Sequence, residues 1–288
     1  MDARRHGVLT GARSPAKLAG MQTPPPRILF NTPDIELWPA DLLRARGNRD
    51  ARLLSQASHV LRRKRDGRYL AVVVGTGIAG LLPGWQRGVD IDAALDLLDA
   101  GLHAPATAVV PSLPLTGVET RLHVLGLEAD AYASRTGLAL LAEPAWLAFA
   151  GFDRYRRPLW LDSPTTRAWH AMRSAALADD IVLDAVSGYR SHDYQFAIFE
   201  RKLARGLDLD EIVAVNAAPG YSEHHTGSAL DISAPGEPAA EASFEATPAF
   251  AWLQRHAAGH GFTMSYPRDN PHGIVYEPWH WRHHAAAD

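Results

Sequence analysis

Cysteine is missing altogether from the 288 residues. Without thiols the chain can build no disulfide framework, no thiolate-bound zinc or iron–sulfur cluster and no cysteine nucleophile, so any metal must be held by histidines and carboxylates. The same absence leaves the redox compartment open, because a thiol-free chain suits cytosol and periplasm alike. A surplus of positive charge is also missing: 29 Lys+Arg stand against 32 Asp+Glu, a net charge of −3. Such a chain is poorly equipped to neutralise a phosphate backbone, and nucleic acid is not expected as a partner. Long apolar runs are scarce. The charged opening Met1 to Thr10 has no run of signal-peptide length behind it. Residues 69–85, which follow the basic stretch Arg62 to Arg68, are the one candidate for membrane association. Four glycines and a proline put that stretch at the short limit of a span, and a buried strand with turns is the better reading.

What is present divides the chain into three parts. Residues 1–30 are rich in Gly, Pro and Arg and end in Pro24-Pro25-Pro26, the composition of a mobile leader. Residues 31–140 alternate apolar stretches such as Tyr69 to Val74 and Ala106 to Val110 with Gly/Pro punctuation, and read as a mixed region of several strands. Asp66-Gly67 is a plausible hairpin turn within it. Residues 141–288 carry cleaner signals. Ser163-Pro164 starts a helix with Trp169, Met172 and Ala176 on one face, closed by Asp179-Asp180, and Ile181 to Val186 follows as a strand. Ser191 caps a helix with Phe196, Phe199 and Leu203 in one stripe. Thr247-Pro248 starts another with Phe250, Leu253 and Ala257 buried. No steady βαβ rhythm runs through these elements, so the fold class expected is α+β.

Gly75-Thr76-Gly77-Ile78-Ala79-Gly80 matches the spacing of a dinucleotide-binding loop after a strand-like run. Pro83 and Gly84 fall where the required helix should be running, however, and the stretch reads as a glycine-rich turn. The stronger chemical signal lies further on, since more than half of the 14 histidines come after residue 220. His224 sits on a turn before Ala229 to Ser233, a strand in which Leu230 and Ile232 face the core and Asp231 the other side. Glu277 precedes His280 by three residues, and a bend near Pro278 would let both side chains approach one ion. Two histidines and an aspartate suffice for a zinc with an open fourth position, which would leave Glu277 as a general base. Spacing alone leaves two possibilities open: a zinc hydrolase, or a set of unrelated hydrogen-bonded polar residues.

Three segments in this order are more specific: Ser187-Gly-Tyr-Arg-Ser-His-Asp-Tyr-Gln195, Ser222-Glu-His-His-Thr-Gly-Ser-Ala-Leu-Asp231 and Glu277-Pro-Trp-His-Trp-Arg282. Together they resemble the zinc D-alanyl-D-alanine carboxypeptidases of the vancomycin-resistance type, within the wider group of lysostaphin-like endopeptidases and hedgehog domains. The resemblance spans roughly residues 140 to 284, and earlier residues carry no such likeness. It implies a small antiparallel sheet flanked by helices over 141–288, with His224, Asp231 and His280 as zinc ligands. It further implies Glu277 as the base toward the attacking water, Arg190 as the group that polarises the scissile carbonyl or steadies the oxyanion, and Ser222 and Gln195 as residues that position the peptide. Tyr189 and Tyr221 read either as cleft lining or as packing, and Tyr189 is carried as a substrate-binding candidate. His225 reads as a residue behind the site or on the surface, and Trp279 and Trp281 as core and cleft wall.

The substrate class so implied is the peptidoglycan stem peptide, with zinc as cofactor. The motifs fix this chemistry better than they fix specificity, since the same residues serve D,D-carboxypeptidases, L,D-carboxypeptidases and D,D-dipeptidases. A zinc-bearing binding module is the alternative from another class. The chemistry points to the cell envelope, and the opening residues leave a cytoplasmic role on recycled muropeptides open.

Overall fold

The computed structural model describes residues 27–75, 77–105 and 108–285. The expected leader therefore lies outside the described residues as far as residue 26, and Ile28–Asn31 already forms a strand. Within residues 106–110, the first two lie outside the description and the rest are not strand.

Two antiparallel sheets organise the described residues. The larger contains β1 (Ile28–Asn31), β2 (Ile35–Pro39), β3 (Ala57–Arg63), β4 (Tyr69–Val74), β5 (Gly77–Gly80), β6 (Trp146–Phe152) and β7 (Pro158–Leu161), in the order β5-β4-β3-β2-β1-β6-β7. The smaller contains β8 (Asp184–Ser187), β9 (Ala229–Ser233), β10 (Phe262–Met264) and β11 (His280–His283), in the order β10-β11-β9-β8. The helices are α1 (Asn48–Leu54), α2 (Val89–Leu102), α3 (Val118–Val124), α4 (Ala129–Thr136), α5 (Ser163–Ala178), α6 (His192–Leu203), α7 (Leu209–Ala214) and α8 (Pro248–His256). The arrangement is α+β.

Within the stretch weighed as a membrane segment, β4 and β5 pair antiparallel with each other. Residues 81–84 continue as bend and turn rather than as the helix a dinucleotide site needs. Among the described residues no helix is long and apolar enough to cross a membrane. The larger sheet takes strands from both sides of residue 140: β1 pairs with β6, Leu29 opposite Leu147, so the early and late parts of the chain share one hydrogen-bonded layer. Helix α2 covers this layer, with Ile91, Ala94 and Leu98 packed on Phe30, Leu37 and Leu61.

Each helix start expected in the second half is present. Ser191 Oγ accepts the N–H of Tyr194 to cap α6, and Thr247 Oγ1 accepts that of Phe250 to cap α8. For α5 the cap is Asp162 rather than Ser163. Its carboxylate accepts the N–H of Thr165, and Ser163 and Pro164 fill the first turn. The strand expected from Ile181 begins only at Asp184. Asp180 takes a left-handed φ of 59°, and the N–H of Ile181 returns to Ala176 O to close the end of α5.

The smaller sheet buries one face against α5 and α8. Leu230, Ile232 and Trp281 lie there with Trp169, Met172, Phe250 and Leu253, all nearly or wholly buried. A truncation such as Leu230→Ala in a core of this kind costs about 2–5 kcal/mol. Alternation along β9 then sends Asp231 to the opposite face, toward the site. A second apolar cluster joins α3, α4, α6 and α7 through Leu122, Tyr132, Phe196, Phe199 and Ile212.

Candidate metal centre

Strand register brings the first two site residues together. In the antiparallel pair β9/β11, Asp231 stands directly opposite His280 and Leu230 opposite Trp281. Opposed residues share a face, so the pairing that buries Leu230 and Trp281 places the carboxylate and the imidazole side by side on the other face. His224 arrives from a single 3-10 turn, Glu223–Thr226, which ends at Gly227 in a left-handed conformation, φ 73°. A Cβ there would lie 2.5 Å from Leu147 Cδ2 and 2.9 Å from the backbone N of Asp162, so only glycine permits this approach to β7 and the start of α5.

Asp231 Oδ1 lies 3.3 Å from His224 Nε2 and 3.3 Å from His280 Nδ1. Two donors roughly 2.0–2.1 Å from one ion at a tetrahedral angle are separated by about 3.3 Å, so this spacing suits a metal held between them. All three side chains are buried, and each offers a ligand atom within 4.8 Å of the others. His224 Nε2 is buried with no hydrogen-bond partner, an arrangement that costs free energy unless a ligand takes up its lone pair.

The outward-facing ring nitrogens fix the tautomers a metal requires. His224 Nδ1 donates to Gly188 O at 2.7 Å, which leaves Nε2 free. His280 Nε2 bonds Glu223 Oε2 at 2.9 Å, which turns Nδ1 toward Asp231. A carboxylate behind a ligating imidazole is a recurrent support of metal sites. Glu223 is itself held by Ser265 Oγ at 2.6 Å and by Arg282 Nη1 at 3.0 Å. Glu223 is not among the residues that the sequence pattern nominates, although its place beside His224 on a tight turn is a usable signal.

Electrostatics separate the groups by role. Burial, followed by the nearby Arg190 charge, lowers the His224 pKa to about 4, so its ring is neutral and its lone pair available. For Glu223, burial works against ionisation, but the hydrogen bond and charge of His280, with Ser265 and Arg282, hold its pKa down at about 2. Burial would also lower His280, yet its bonds to Asp231 and Glu223 and their charges raise it to about 10, so in the absence of an ion the ring holds a proton that a metal at Nδ1 would displace. Glu277 moves the other way: burial first, and the Asp231 and Glu223 charges after it, push its pKa up to about 7 against the pull of His280 and Arg190.

Glu277 stays outside the ligand set. Its Oε2 is 3.8 Å from His280 Nδ1, while its backbone N–H is tied to Tyr266 O. The chain turns at Pro278 and Trp279, with the N–H of His280 bonded to Glu277 O, which is the bend expected there. Arg190 Nη2 donates to Asp231 Oδ2 at 3.3 Å, leaving Oδ1 for the metal position. Its backbone is clamped from both sides, N–H to His224 O and O to His225 Nδ1 at 2.7 Å. His225 is thus fully buried and ties the Arg190 segment to the His224 turn.

A cleft of about 270 Å³ opens over these groups, lined also by Gln195, Ser222 and Trp279. Gln195 Nε2 donates to Ala217 O at 2.9 Å, and its Oε1 is buried without a partner. Trp281 belongs to the core, as expected. Tyr189 is the site candidate that the fold places elsewhere. Its hydroxyl donates to Glu143 and accepts from Asn31 Nδ2, and the residue does not line this cleft. The cause is a buried carboxylate supplied from a remote segment, which local sequence does not announce. Tyr221 likewise packs in the helical cluster, its hydroxyl donating to Ala129 O.

The profile of the D-alanyl-D-alanine carboxypeptidase (VanY) family matches residues 158–286. The chain is 39% identical over 141 residues to the putative carboxypeptidase YodJ of Bacillus subtilis, a match covering 46% of this chain and 49% of that one. It is 32% identical over 122 residues to a D-alanyl-D-alanine carboxypeptidase of Enterococcus faecium, covering 39% of this chain and 35% of the other. The chain thus spans half or less of the length of these two relatives. With the bifunctional D-Ala-D-Ala dipeptidase and D-Ala-D-Ala carboxypeptidase VanXYC of Enterococcus gallinarum it shares 30% identity over 148 residues, 49% of this chain and 75% of the relative. With three quarters of that relative matched and the ligand trio assembled inside the matched segment, the chain belongs to the D-alanyl-D-alanine carboxypeptidase (VanY) family.

Proposed function

We propose that this protein is a zinc-dependent carboxypeptidase that hydrolyses the terminal D-alanyl peptide bond of peptidoglycan stem peptides. The observation that carries this reading is the convergence of His224, Asp231 and His280 at ligand spacing while Glu277, close by, remains unspent. The oxygen and nitrogen donors, with a neutral His224, suit zinc. Zinc bound there would act as a Lewis acid and bring the pKa of a water toward neutrality.

The rest of the chemistry belongs to the protein. Glu277, unligated and close beside the trio, accepts the proton of the attacking water and returns it to the departing amine. The new C–O bond forms first, and the C–N bond breaks once the nitrogen has taken up that proton, giving free D-alanine and a shortened peptide. Arg190 keeps a guanidinium beside the carbonyl, where negative charge gathers. The unpartnered Gln195 Oε1 and the Ser222 side chain supply polar contacts for the peptide in the cleft. A pure binding module would need neither an unligated Glu277 nor a guanidinium at the metal.

The test is an assay of D-alanine release from stem pentapeptide, tetrapeptide and tripeptide, with zinc, with chelator and with zinc restored. Release of one D-alanine from the pentapeptide, lost with chelator and regained with zinc, is expected. Release from the tetrapeptide alone would indicate L,D specificity, and release of the D-Ala-D-Ala dipeptide would indicate a D,D-dipeptidase. Stoichiometric zinc with no hydrolysis of any of the three would overturn the peptidase reading in favour of a binding module.

A further inference from the structure

A second groove, of about 320 Å³, lies between the larger sheet and the segment Ser187 to Tyr194. Arg190 lines both this groove and the metal cleft, so the groove borders the proposed site at the residue assigned to the scissile carbonyl. One wall comes from β2, β3 and β4 through Trp38, Arg62 and Tyr69, and the other from Tyr194, which is 43% exposed. The residues of the first wall precede the segment that matches the family profile.

The wall is preorganised. Glu36 Oε2 accepts the indole N–H of Trp38 at 2.8 Å and pairs with Arg62 Nη1 at 2.7 Å. The Trp38 ring stands edge to face on Trp160, centroids 5.4 Å apart. Across the groove floor Arg157 Nε pairs with Asp153 Oδ2 at 2.6 Å. Each of these guanidiniums is already neutralised by its own carboxylate. A free carboxylate ligand would seek an unpaired cation, which neither pair offers. Planar ion pairs beside aromatic rings instead suit a neutral ligand with hydroxyl groups on its rim and C–H groups on its faces. A saccharide ring has that chemistry.

We propose that this groove binds the sugar that carries the stem peptide, so that the protein recognises its substrate as a glycan-bearing muropeptide. The inference rests on the proposed hydrolysis of stem peptides. Its test compares kcat/KM for a disaccharide pentapeptide with that for the free pentapeptide, in the wild type and in Trp38→Ala. A wild-type preference for the glycan-bearing substrate of about tenfold or more is expected, one such step being worth about 1.4 kcal/mol. In Trp38→Ala that ratio should fall toward one, and because both substrates are read in one variant, a general loss of activity cancels.

The peptide-free disaccharide, titrated into the zinc-loaded wild type, gives a reading independent of hydrolysis and of the variant's folding. It should shift the Trp38 indole N–H resonance and inhibit cleavage of the muropeptide competitively. Equal kcat/KM for the two substrates in the wild type, or no resonance shift with the disaccharide, would overturn the proposal. Absence of hydrolysis with either substrate would count against the peptidase reading itself, and the titration would still decide the groove.

Discussion

Lys64 Nζ, just beyond β3, lies 2.5 Å from Glu143 Oε2, with the two side chains only 1% and 4% exposed. The same carboxylate accepts Asn31 Nδ2 from β1, the hydroxyl of Tyr189 and the backbone N–H of His192. One buried anion therefore links the larger sheet to the segment that carries Arg190. Lys64→Met leaves that anion without its cation, and breaking a buried pair from one side costs about 3–5 kcal/mol. Chemical denaturation should show a loss of this size. A loss below about 1 kcal/mol would mean that the other donors suffice.

The same carboxylate gives the fold an acid-sensitive component. Burial would raise the Glu143 pKa, but the Lys64 and His192 charges and the bonds from Lys64 and Tyr189 carry it down to about 2, from 4.5 for an ordinary glutamate. A folded value below the unfolded one means stability that is fully present above pH 4.5 and is lost as pH falls through about 2. The difference corresponds to about 3 kcal/mol. Urea titrations between pH 5 and pH 2 should show a smaller decline in Glu143→Gln than in the wild type. Parallel declines would remove Glu143 as the cause.

Glu277 and His224 should fail in different ways. Glu277→Ala is expected to keep stoichiometric zinc while kcat drops at least 10²-fold, roughly the contribution of a general base. His224→Ala should lose zinc and activity together. Metal analysis beside steady-state kinetics separates the two, and near-normal turnover in the Glu277 variant would end its assignment as the base.

Glu223 holds His280 from behind and would support a bound metal without touching it. Glu223→Gln removes the negative charge behind His280 while keeping a hydrogen-bond acceptor, and zinc affinity should fall about 10–100-fold. Competition with a chromophoric chelator measures this directly. Unchanged affinity would reduce the Glu223–His280 bond to packing.

Gly227 holds the His224 turn against Leu147 and the start of α5. Gly227→Ala forces a Cβ into a left-handed conformation and onto the backbone N of Asp162, 2.9 Å away. A loss of at least about 1 kcal/mol is expected, with weaker zinc binding because His224 moves with the turn. A variant that melts with the wild type would show that the turn can relax at no cost.

Much of the site was legible in short stretches of sequence. The caps at Ser191 and Thr247, the alternation that buries Leu230 and Ile232 and turns Asp231 outward, and the bend at Pro278 all depend on residues within a few positions of one another. Such signals are local because backbone hydrogen bonds, proline geometry and side-chain periodicity act over one or two turns. They nominate His224, Asp231, Glu277 and His280 as candidates, and it is the resemblance of the three longer segments that gives each a role.

Tertiary structure alone decided how these pieces meet. The pairing of Asp231 with His280 is a register between strands remote in sequence, fixed by packing Leu230 and Trp281 beneath it. The bond from His280 to Glu223, the capture of the Tyr189 hydroxyl by Glu143 and the sharing of one sheet across residue 140 are of the same kind. Each joins groups whose attraction is felt only after distant segments have been desolvated together, and no local pattern of residue types encodes that event.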